Sequence, residues 1–450
     1  MYYQTQELPE AIDFTALHHH FPERYPVALV STAENNQQGR YDILFAFPQM
    51  TLKLDNEKVL SSNGDVIDGE FLTALDDCWQ NERVDAADDP GDLPFTGGWF
   101  IFLAYELASE IEPSLHLEPA DPTLPVALAM RCPAAIIYDH KTDVSFILVE
   151  NDSCDYFETI KDDINKAQSI PLKPQAIVAT SIVESEVDPY LYQLDRIKTY
   201  IKEGDIFQAN LSRLWELTIE DVPNVDIFKR LSQNNPGSFA ALFQLGDVAI
   251  ISSSPERLVS VKGNNIQTRP IAGTRPRTDK IEADKSLSEE LLAHPKEKAE
   301  HIMLIDLERN DLGRLCVPGS IKVDELMTLE SYQHVHHIVS NVQGQIRKEV
   351  TPGEVIRAVF PGGTITGCPK VRCMQILTEM EQQARGAYTG SLGYINRDGS
   401  MDLNILIRTM VRINNQITFR AGGGIVADSD PDRELEETRA KAKGLLKVFS

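Results

Sequence analysis

The chain has 450 residues, 42% of them hydrophobic, which is enough to bury one large core or two ordinary ones. Its 68 acidic and 43 basic residues give a formal net charge of −25, which repels nucleic acid and anionic membranes. The N-terminus lacks a basic segment followed by an apolar run, and no 18 consecutive residues are apolar. The sequence therefore predicts a cytoplasmic protein with neither nucleic-acid nor membrane partners.

The first segment, residues 1–165, contains the strand-like runs YPVALVS, YDILFAF and VSFILVEN. These runs are rich in the β-branched and aromatic residues that favour strands. Between about residues 165 and 187 the chain has two prolines and no helical period, which predicts a boundary. We expect the catalytic domain to cover residues 188–448.

Helices and strands are mixed after this boundary. Asp188, before Pro189, predicts a helix N-cap, Gly204 predicts the end of that helix, and the strand DIFQANLSRLWEL follows. The runs VAIISSSP and RLVSVKG predict one antiparallel pair, and YTGSLGYIN with LNILIRTMVRIN predicts another. Further helices are expected at about 284–308, 353–360 and 369–384, and from the DSDPD cap to about Val448. This order predicts an α+β layered fold.

Two pairs of glutamates have helical i, i+3 spacing: Glu297 with Glu300, and Glu434 with Glu437. The spacing places both carboxylates of a pair on one helix face, so two such helices at a cleft could bind a hard cation such as Mg²⁺. The alternative is that both are ordinary solvated acidic faces.

Two glycine-rich segments are candidates for anion binding. PGGTITGCPK has glycines at P-loop spacing, but Cys368 stands where the phosphate-binding lysine would be, which excludes a Walker nucleotide site. AGGGIV, which contains Gly422, Gly423 and Gly424, follows a strand pair whose Arg408 could bind a carboxylate bidentately. The alternative for each segment is a tight turn.

Histidine and glutamate side chains could supply acid–base chemistry. His334, His336 and His337 are close in sequence, but a strand places His337 on the face opposite the other two, which is poor geometry for a three-histidine metal site. A single histidine could act as acid, base or hydrogen-bond donor, or be structural. Glu256 follows Pro255 at the end of a strand and could be a general acid or base, or an exposed turn residue.

Taken in order, the motifs SPER, TRPIAGT, EKAEH, LIDLERNDLGR, HHIVS, GGTITGCPK, YTGSLGY, IRT, AGGGIV and EETRAKA resemble those of the chorismate-utilising enzymes. The resemblance covers about residues 188–448, and GRYDI and GGWFIFLAYELA extend it more weakly toward the N-terminus. It implies the anthranilate-synthase-type fold, in which two antiparallel β-sheets pack together with helices outside.

The same resemblance implies a role for each matching residue. Mg²⁺ would be held mainly by Glu300 and Glu437, with Glu297 and Glu434 beside it. Glu256 would be the general acid or base and His337 would lie near the departing hydroxyl. The remaining positions expected to contact chorismate are Gln208, Asn210, Gly273, Thr274, Thr366, Tyr388, Arg408, Gly422, Gly423, Gly424 and Lys441.

Two positions bear on which reaction the chain catalyses. Family members that add water carry a lysine base where this chain has Gln208, so the resemblance implies amination by ammonia from a glutamine amidotransferase subunit. Asn210 and the GGTITG segment favour the branch that aminates C4 of chorismate, the aminodeoxychorismate type. Ala272 favours the C2-aminating anthranilate type, because the C4 branch usually has a nucleophilic lysine there. A catalytically inactive, metabolite-binding paralogue is the alternative of another class.

Overall fold

The structure is a computed structural model that describes residues 2–8, 11–32, 39–55, 58–85, 92–278, 280–331 and 335–450, without the side chains of Thr274, Pro276, Ile281, Lys296 and Val335. Its strands are β1 (Tyr3–Leu8), β2 (Val27–Val30), β3 (Tyr41–Ala46), β4 (Thr51–Asp55), β5 (Lys58–Ser61), β6 (Val66–Ile67), β7 (Gly98–Leu103), β8 (Ala127–Cys132), β9 (Ala134–Asp139), β10 (Val144–Glu150), β11 (Ala179–Glu184), β12 (Gln208–Ile219), β13 (Phe239–Leu245), β14 (Val248–Ser254), β15 (Arg257–Lys262), β16 (Asn265–Thr268), β17 (Ile271–Pro276), β18 (Lys322–Ser331), β19 (Val335–Gln345), β20 (Gly367–Cys368), β21 (Ser391–Asn396), β22 (Met401–Asn404), β23 (Thr409–Ile413) and β24 (Gln416–Ile425).

The helices are α1 (Phe14–His20), α2 (Phe71–Glu82), α3 (Ala108–Ile111), α4 (Tyr156–Ser169), α5 (Val187–Glu203), α6 (Asn224–Asn234), α7 (Ile281–Ala293), α8 (Pro295–Gly313), α9 (Pro352–Val359), α10 (Lys370–Glu381) and α11 (Pro431–Leu446). Short 3-10 turns cover Tyr105–Leu107, Asn151–Ser153, Gly363–Ile365 and Lys447–Phe449. Within the described ranges, no helix is both long and apolar enough to span a bilayer.

The strands form two antiparallel sheets. The first sheet has the order β1-β10-β9-β3-β2-β13-β14-β23-β24-β12-β11, with β20 also paired to β12. The second has the order β17-β19-β16-β15-β22-β21-β7-β8-β4-β5-β6, with β18 also paired to β19. The α+β expectation of two packed antiparallel sheets with helices outside is confirmed.

The hydrophobic run Gly98–Leu103 shows how the layers are built. Side chains alternate across a strand, so Phe100 and Phe102 face the other sheet, where both pack against Phe243 of β13 with ring centroids 4.8 and 5.9 Å apart. Trp99 and Ile101 face the opposite way, into a separate core formed with the helices. Because both faces of β7 are buried, the run is hydrophobic at nearly every position.

The segments before and after the predicted boundary contribute to both sheets. Strand β2 pairs with β13 in the first sheet, and β7 pairs with β21 in the second. Residues 170–178 lie in neither a helix nor a strand. The division into regions 1–165 and 188–448 stays a prediction, and the two regions share each sheet.

Three local expectations were wrong. Strands β14 and β15 do not pair with each other: β14 lies between β13 and β23 in the first sheet, and β15 between β16 and β22 in the second. The helix expected at 284–308 is two helices, separated at His294 and Pro295, because proline cannot continue a helix. Asp188 is in the first turn of α5, whose N-cap is Glu186.

Candidate active site

The candidate site lies where the chain crosses twice between the two sheets. The first crossing, Pro255–Glu256, links β14 to β15, and the second, Ile405–Arg408, links β22 to β23. The two crossings are hydrogen-bonded side by side, because the Ile405 amide donates to the Glu256 carbonyl at 2.9 Å. A carboxylate and a guanidinium far apart in sequence are thus brought to one place.

Glu256 is a buried carboxyl group, 6% exposed. The Thr364 hydroxyl donates to its Oε1 at 2.8 Å. Burial raises the pKa of Glu256 to about 7, against the smaller opposing effects of Thr364, Arg408 and Lys441. A carboxyl group that titrates near neutral pH can donate or accept a proton during turnover, so the interpretation of Glu256 as an exposed turn residue is wrong.

Arg408 lies at the end of the second crossing in a left-handed backbone conformation, with φ of 51°. Its guanidinium makes no hydrogen bond or ion pair with any residue that the structure describes. Its charge nevertheless acts on two neighbours: it opposes the rise that burial causes in the pKa of Glu256, and it adds to the fall in the pKa of His337. Arg408 is half-buried, and a cation partly removed from water without a described protein partner is expensive. It is suited to binding a ligand carboxylate bidentately.

His337 is also buried, at 5% exposure, with Nδ1 3.4 Å from the Gly273 carbonyl. Burial, and secondarily Arg408, lowers the pKa of His337 to about 4. The imidazole is therefore neutral at pH 7 and suited to hydrogen bonding, not to acting as a cationic acid. Its neighbour His336 faces Asp284, with Nε2 3.1 Å from Oδ1. His334 lies outside the described residues.

The glycine triplet lies within strand β24, so the tight-turn interpretation is wrong. Each glycine leaves room for a polar group. A Cβ at Gly422 would lie 2.6 Å from the Tyr388 hydroxyl oxygen and 3.1 Å from Asn210 Oδ1, and one at Gly424 would overlap Gln208 Nε2. The triplet thus allows three predicted side chains, Tyr388, Asn210 and Gln208, to approach the backbone closely.

Within the described residues, one edge of this glycine strand is unpaired on the side of β23. Strand β24 pairs with β12 along Gln416–Ile425, whereas its ladder with β23 stops at the pair of Met410 with Phe419. Within the described ranges, the edge next to the triplet has no strand neighbour on that side. Free backbone at a sheet edge can bind an anion.

The glutamate pairs lie beside two of the predicted glycines, Gly423 and Gly273. A Cβ at Gly423 would lie 3.2 Å from Glu434 Oε2 and 3.6 Å from Glu437 Oε1, and one at Gly273, whose φ is 67°, would lie 2.9 Å from Glu297 Oε2. Glu297 also pairs with Arg275 at 3.2 Å. Glu300 lies one turn further along α8. Among the described residues, no three or more carboxylate, histidine or cysteine side chains converge as a metal cluster.

Lys441 joins the glycine strand to one of these pairs. Its Nζ donates to the Gly422 carbonyl at 2.8 Å and lies 2.9 Å from Glu437 Oε1. The ammonium group and the Glu437 carboxylate are each about half exposed, so they remain accessible to a ligand. The predicted counter-charge thus lies beside the triplet.

The remaining predicted positions form the walls of the site. Asn210 donates from Nδ2 to the Ile365 carbonyl at 2.9 Å, and the Thr366 hydroxyl donates to the Gly362 carbonyl at 3.0 Å. Thr366 is fully buried, so it shapes the Gly363–Ile365 turn. Ala272 is opposite Ile338 in the β17–β19 ladder, beside a bulge at Gly273. The side chain of Thr274 lies outside the described residues.

Two positions that contact predicted site residues were missed in the sequence. The Thr364 hydroxyl donates a hydrogen bond to Glu256. In the sequence, only the position of Thr364 within the GGTITG motif indicated a role for this residue. Arg385 is buried behind Tyr388 and forms an ion pair with Glu381 at 2.8 Å. Because α10 ends at Glu381, the two side chains do not lie on one helix face, and no sequence pattern indicated this pair.

Comparison with known proteins shows the family to which this chain belongs. The chain matches the family model described as chorismate binding enzyme over residues 26–447. It is 42% identical over 380 residues to the anthranilate synthase component I-like protein of Synechocystis sp., covering 84% of this chain and 77% of that protein. It is 36% identical over 429 residues to aminodeoxychorismate synthase component 1 of Bacillus subtilis, covering 92% and 90%.

Among solved structures, anthranilate synthase component I from Streptococcus pneumoniae is 32% identical and superposes with a TM-score of 0.80, covering 90% of this chain and 92% of that one. The names of these relatives thus divide between anthranilate synthase and aminodeoxychorismate synthase. Together with the family match along nearly the whole chain, they show that this protein belongs to the chorismate binding enzymes.

Proposed function

We propose that this chain is component I of an aminodeoxychorismate synthase. In this reaction ammonia replaces the C4 hydroxyl of chorismate, and the products are 4-amino-4-deoxychorismate and water. The observation that carries amination is Gln208, whose amide lies against Gly424 where the water-adding branch would have a lysine base. An amide does not take up a proton at neutral pH, so the nucleophile must react without a base, as ammonia does.

The substrate would be held by its carboxylates. Arg408, free of described protein partners, would bind the enolpyruvyl carboxylate together with the Tyr388 hydroxyl and the open edge of the glycine strand. Lys441 would add positive charge at the same edge. These contacts exist before and during the reaction, so they contribute mainly to affinity.

Proton transfer would depend on Glu256. Its pKa of about 7 lets part of the population carry a proton at neutral pH, which can be donated to the departing hydroxyl. The neutral His337 imidazole would hydrogen-bond to the same hydroxyl and orient it, because its pKa of about 4 prevents it from supplying the proton itself.

Mg²⁺ is the cofactor that the glutamate pairs would hold. Glu434 and Glu437 approach one backbone position that only glycine leaves open, and Mg²⁺ needs only one or two carboxylates in addition to water and substrate oxygens. These residues, with Glu297 and Glu300, therefore fit the ion. When bound, the ion would neutralise the ring carboxylate beside the departing hydroxyl.

The choice of C4 depends on Asn210 and on the threonines of the GGTITG segment, which resemble the aminodeoxychorismate branch. Asn210 and the turn that contains Thr364 form one wall of the site. Ala272 favours a second candidate function, anthranilate synthase component I, which aminates C2 and eliminates pyruvate. In either case we expect ammonia to come from a separate glutamine amidotransferase subunit.

Product analysis separates these candidates. The purified chain is incubated with chorismate, Mg²⁺ and ammonium, with and without a lyase that converts aminodeoxychorismate to 4-aminobenzoate. We expect 4-aminobenzoate only when the lyase is present. Fluorescent 2-aminobenzoate formed without the lyase would establish the anthranilate reaction instead, and no consumption of chorismate would indicate a metabolite-binding paralogue.

A further inference from the structure

Directly behind Tyr388 lies a cluster of buried ionised groups that the proposed chemistry does not use. It consists of Glu381 at the end of α10, Arg385 four residues later, and Arg420 in β24. Their side chains are only 3%, 2% and 5% exposed. Burying ions costs several kcal/mol for each, so the cluster calls for a functional explanation.

Every N–H of the Arg385 guanidinium is used. Nε and Nη2 donate to the two carboxylate oxygens of Glu381 at 2.9 and 2.8 Å. Nη2 also donates to the Asn210 carbonyl at 2.7 Å. Nη1 donates to the Ile365 carbonyl and to the Thr389 hydroxyl at 3.4 and 3.3 Å. These five bonds equal the full donor capacity of an arginine.

The acceptors lie in three separate segments that all carry predicted substrate contacts. Asn210 belongs to β12, Ile365 to the turn before Thr366, and Thr389 follows Tyr388 directly. The guanidinium carbon is also 5.6 Å from the ring centroid of Tyr388. One side chain therefore fixes the relative positions of a strand, a turn and the tyrosine.

Glu381 secures the other side of this arrangement. Its Oε1 accepts from the backbone amide and the hydroxyl of Ser212 at 2.9 and 2.8 Å, and Ser212 is opposite Gly422 in the β12–β24 ladder. Burial alone would raise the pKa of Glu381, but Arg385 and then Arg420 lower it below its ordinary value. The three groups are therefore ionised, and the buried Glu106 carboxyl group lies close to both arginines.

We propose that Arg385, held by Glu381, is a positioning residue for substrate binding. It holds Asn210, Tyr388 and the Gly363–Ile365 turn in the arrangement that receives the substrate carboxylate. The inference rests on the proposed site, although it does not depend on which ring carbon is aminated. Lysine keeps the charge but cannot make the planar five-donor contact.

The test compares Arg385→Lys with Arg412→Lys. Arg412 is a matched control because it is also buried and its guanidinium donates to the Asn414 carbonyl at 2.6 Å and to Asn224 Oδ1 at 2.9 Å, within a different region. The dissociation constant for chorismate is measured by titration calorimetry, kcat and KM by chorismate consumption, and Tm by scanning calorimetry. Glu381→Gln, which keeps an acceptor for Ser212, is measured in parallel.

We expect Arg385→Lys to raise Kd and KM at least about tenfold, with kcat within about threefold of wild type, because the lost contacts support binding in the ground and transition states alike. Glu381→Gln should raise Kd by a smaller factor. Arg412→Lys should lower Tm without changing Kd.

Equal Kd values for wild type and Arg385→Lys, or an equal rise in Arg412→Lys, would overturn the inference. Should Arg385→Lys fail to fold, an unchanged Kd in Glu381→Gln would overturn it in the same way. Formation of 2-aminobenzoate by the wild type would refute only the C4 proposal, whereas a wild type that does not bind chorismate would refute both.

Discussion

Replacing Glu256 with glutamine should stabilise the folded chain at pH 8 while removing most of its activity. The pKa of this carboxyl is about 7 in the folded state against an ordinary value of 4.5. Because the pKa is higher in the folded state, protonation of Glu256 favours folding. This contribution to the free energy of unfolding is fully present below pH 4.5 and is lost as pH rises through 7. One unit is worth about 1.36 kcal/mol, so ionised Glu256 costs about 3 kcal/mol at pH 8.

Glutamine keeps the size of the side chain and can still accept from Thr364. Glu256→Gln should therefore gain roughly 1–3 kcal/mol at pH 8 and close to nothing below pH 5. The assay is thermal unfolding of wild type and variant at pH 5 and pH 8 in buffer without Mg²⁺. Glu158→Gln is the control, because that carboxylate is 80% exposed and should shift neither melting curve by more than a few tenths of a kcal/mol.

In the activity assay, kcat of Glu256→Gln should fall by about 10²–10⁴-fold, the usual contribution of a general acid or base. The wild-type rate should fall on one side of pH 7. It should fall above pH 7 if Glu256 donates the proton, and below pH 7 if Glu256 accepts one. A stability difference between variant and wild type that is the same at pH 5 and pH 8 would refute the reasoning, because it would mean that Glu256 titrates alike in both states.

Three further changes probe the rest of the site. Arg408→Gln should raise KM for chorismate by about 10–100-fold with little change in Tm, since a charge-assisted contact to the ligand is lost and no described protein contact is broken; an unchanged KM would contradict the assigned carboxylate site. Glu437→Gln should raise the Mg²⁺ concentration needed for half-maximal activity about tenfold or more, and an unchanged titration would exclude this carboxylate as a ligand. Ala272→Lys should leave or improve C4 amination; if it instead abolishes an existing C2 amination, measured as loss of 2-aminobenzoate fluorescence, the anthranilate function is correct.

Local sequence patterns predicted the individual strands of this fold better than they predicted which strands pair. The runs at β14 and β15 have the alternation of strands, and both are strands. Alternation does not tell which sheet a strand joins, because that depends on contacts with distant segments. The chain changes sheets after Ser254, so a pair that looks like a hairpin in sequence is split between two layers.

The positions of candidate site residues were predictable where helical spacing determines which side chains share a face. The pKa values of those residues were less predictable, because the three-dimensional surroundings determine them. The i, i+3 spacing placed Glu434 and Glu437 on one face of a helix, and both border Gly423. In contrast, no spacing indicates that Glu256 titrates near pH 7 or that His337 stays neutral, because burial is the main cause of both shifts. Arg385 was missed for the same reason, since its partners come from distant segments.

The double crossing between sheets explains how such a scattered set of residues can be held accurately. Glu256 follows β14, whose residues are all buried, and Arg408 precedes β23, which pairs with β14 along five residues. The acid and the cation are therefore fixed by one ladder within the core, whereas the glutamate pairs lie on helices α8 and α11 at the margin. A site divided in this way would keep the proposed carboxylate-binding geometry rigid while the helices proposed to hold the metal adjust to the ion and the substrate. Substitutions at the end of the ladder nearest Arg408, at Ser252 and Thr409, should consequently affect both affinity and Tm, whereas substitutions on the helix faces should affect the Mg²⁺ requirement with little change in Tm.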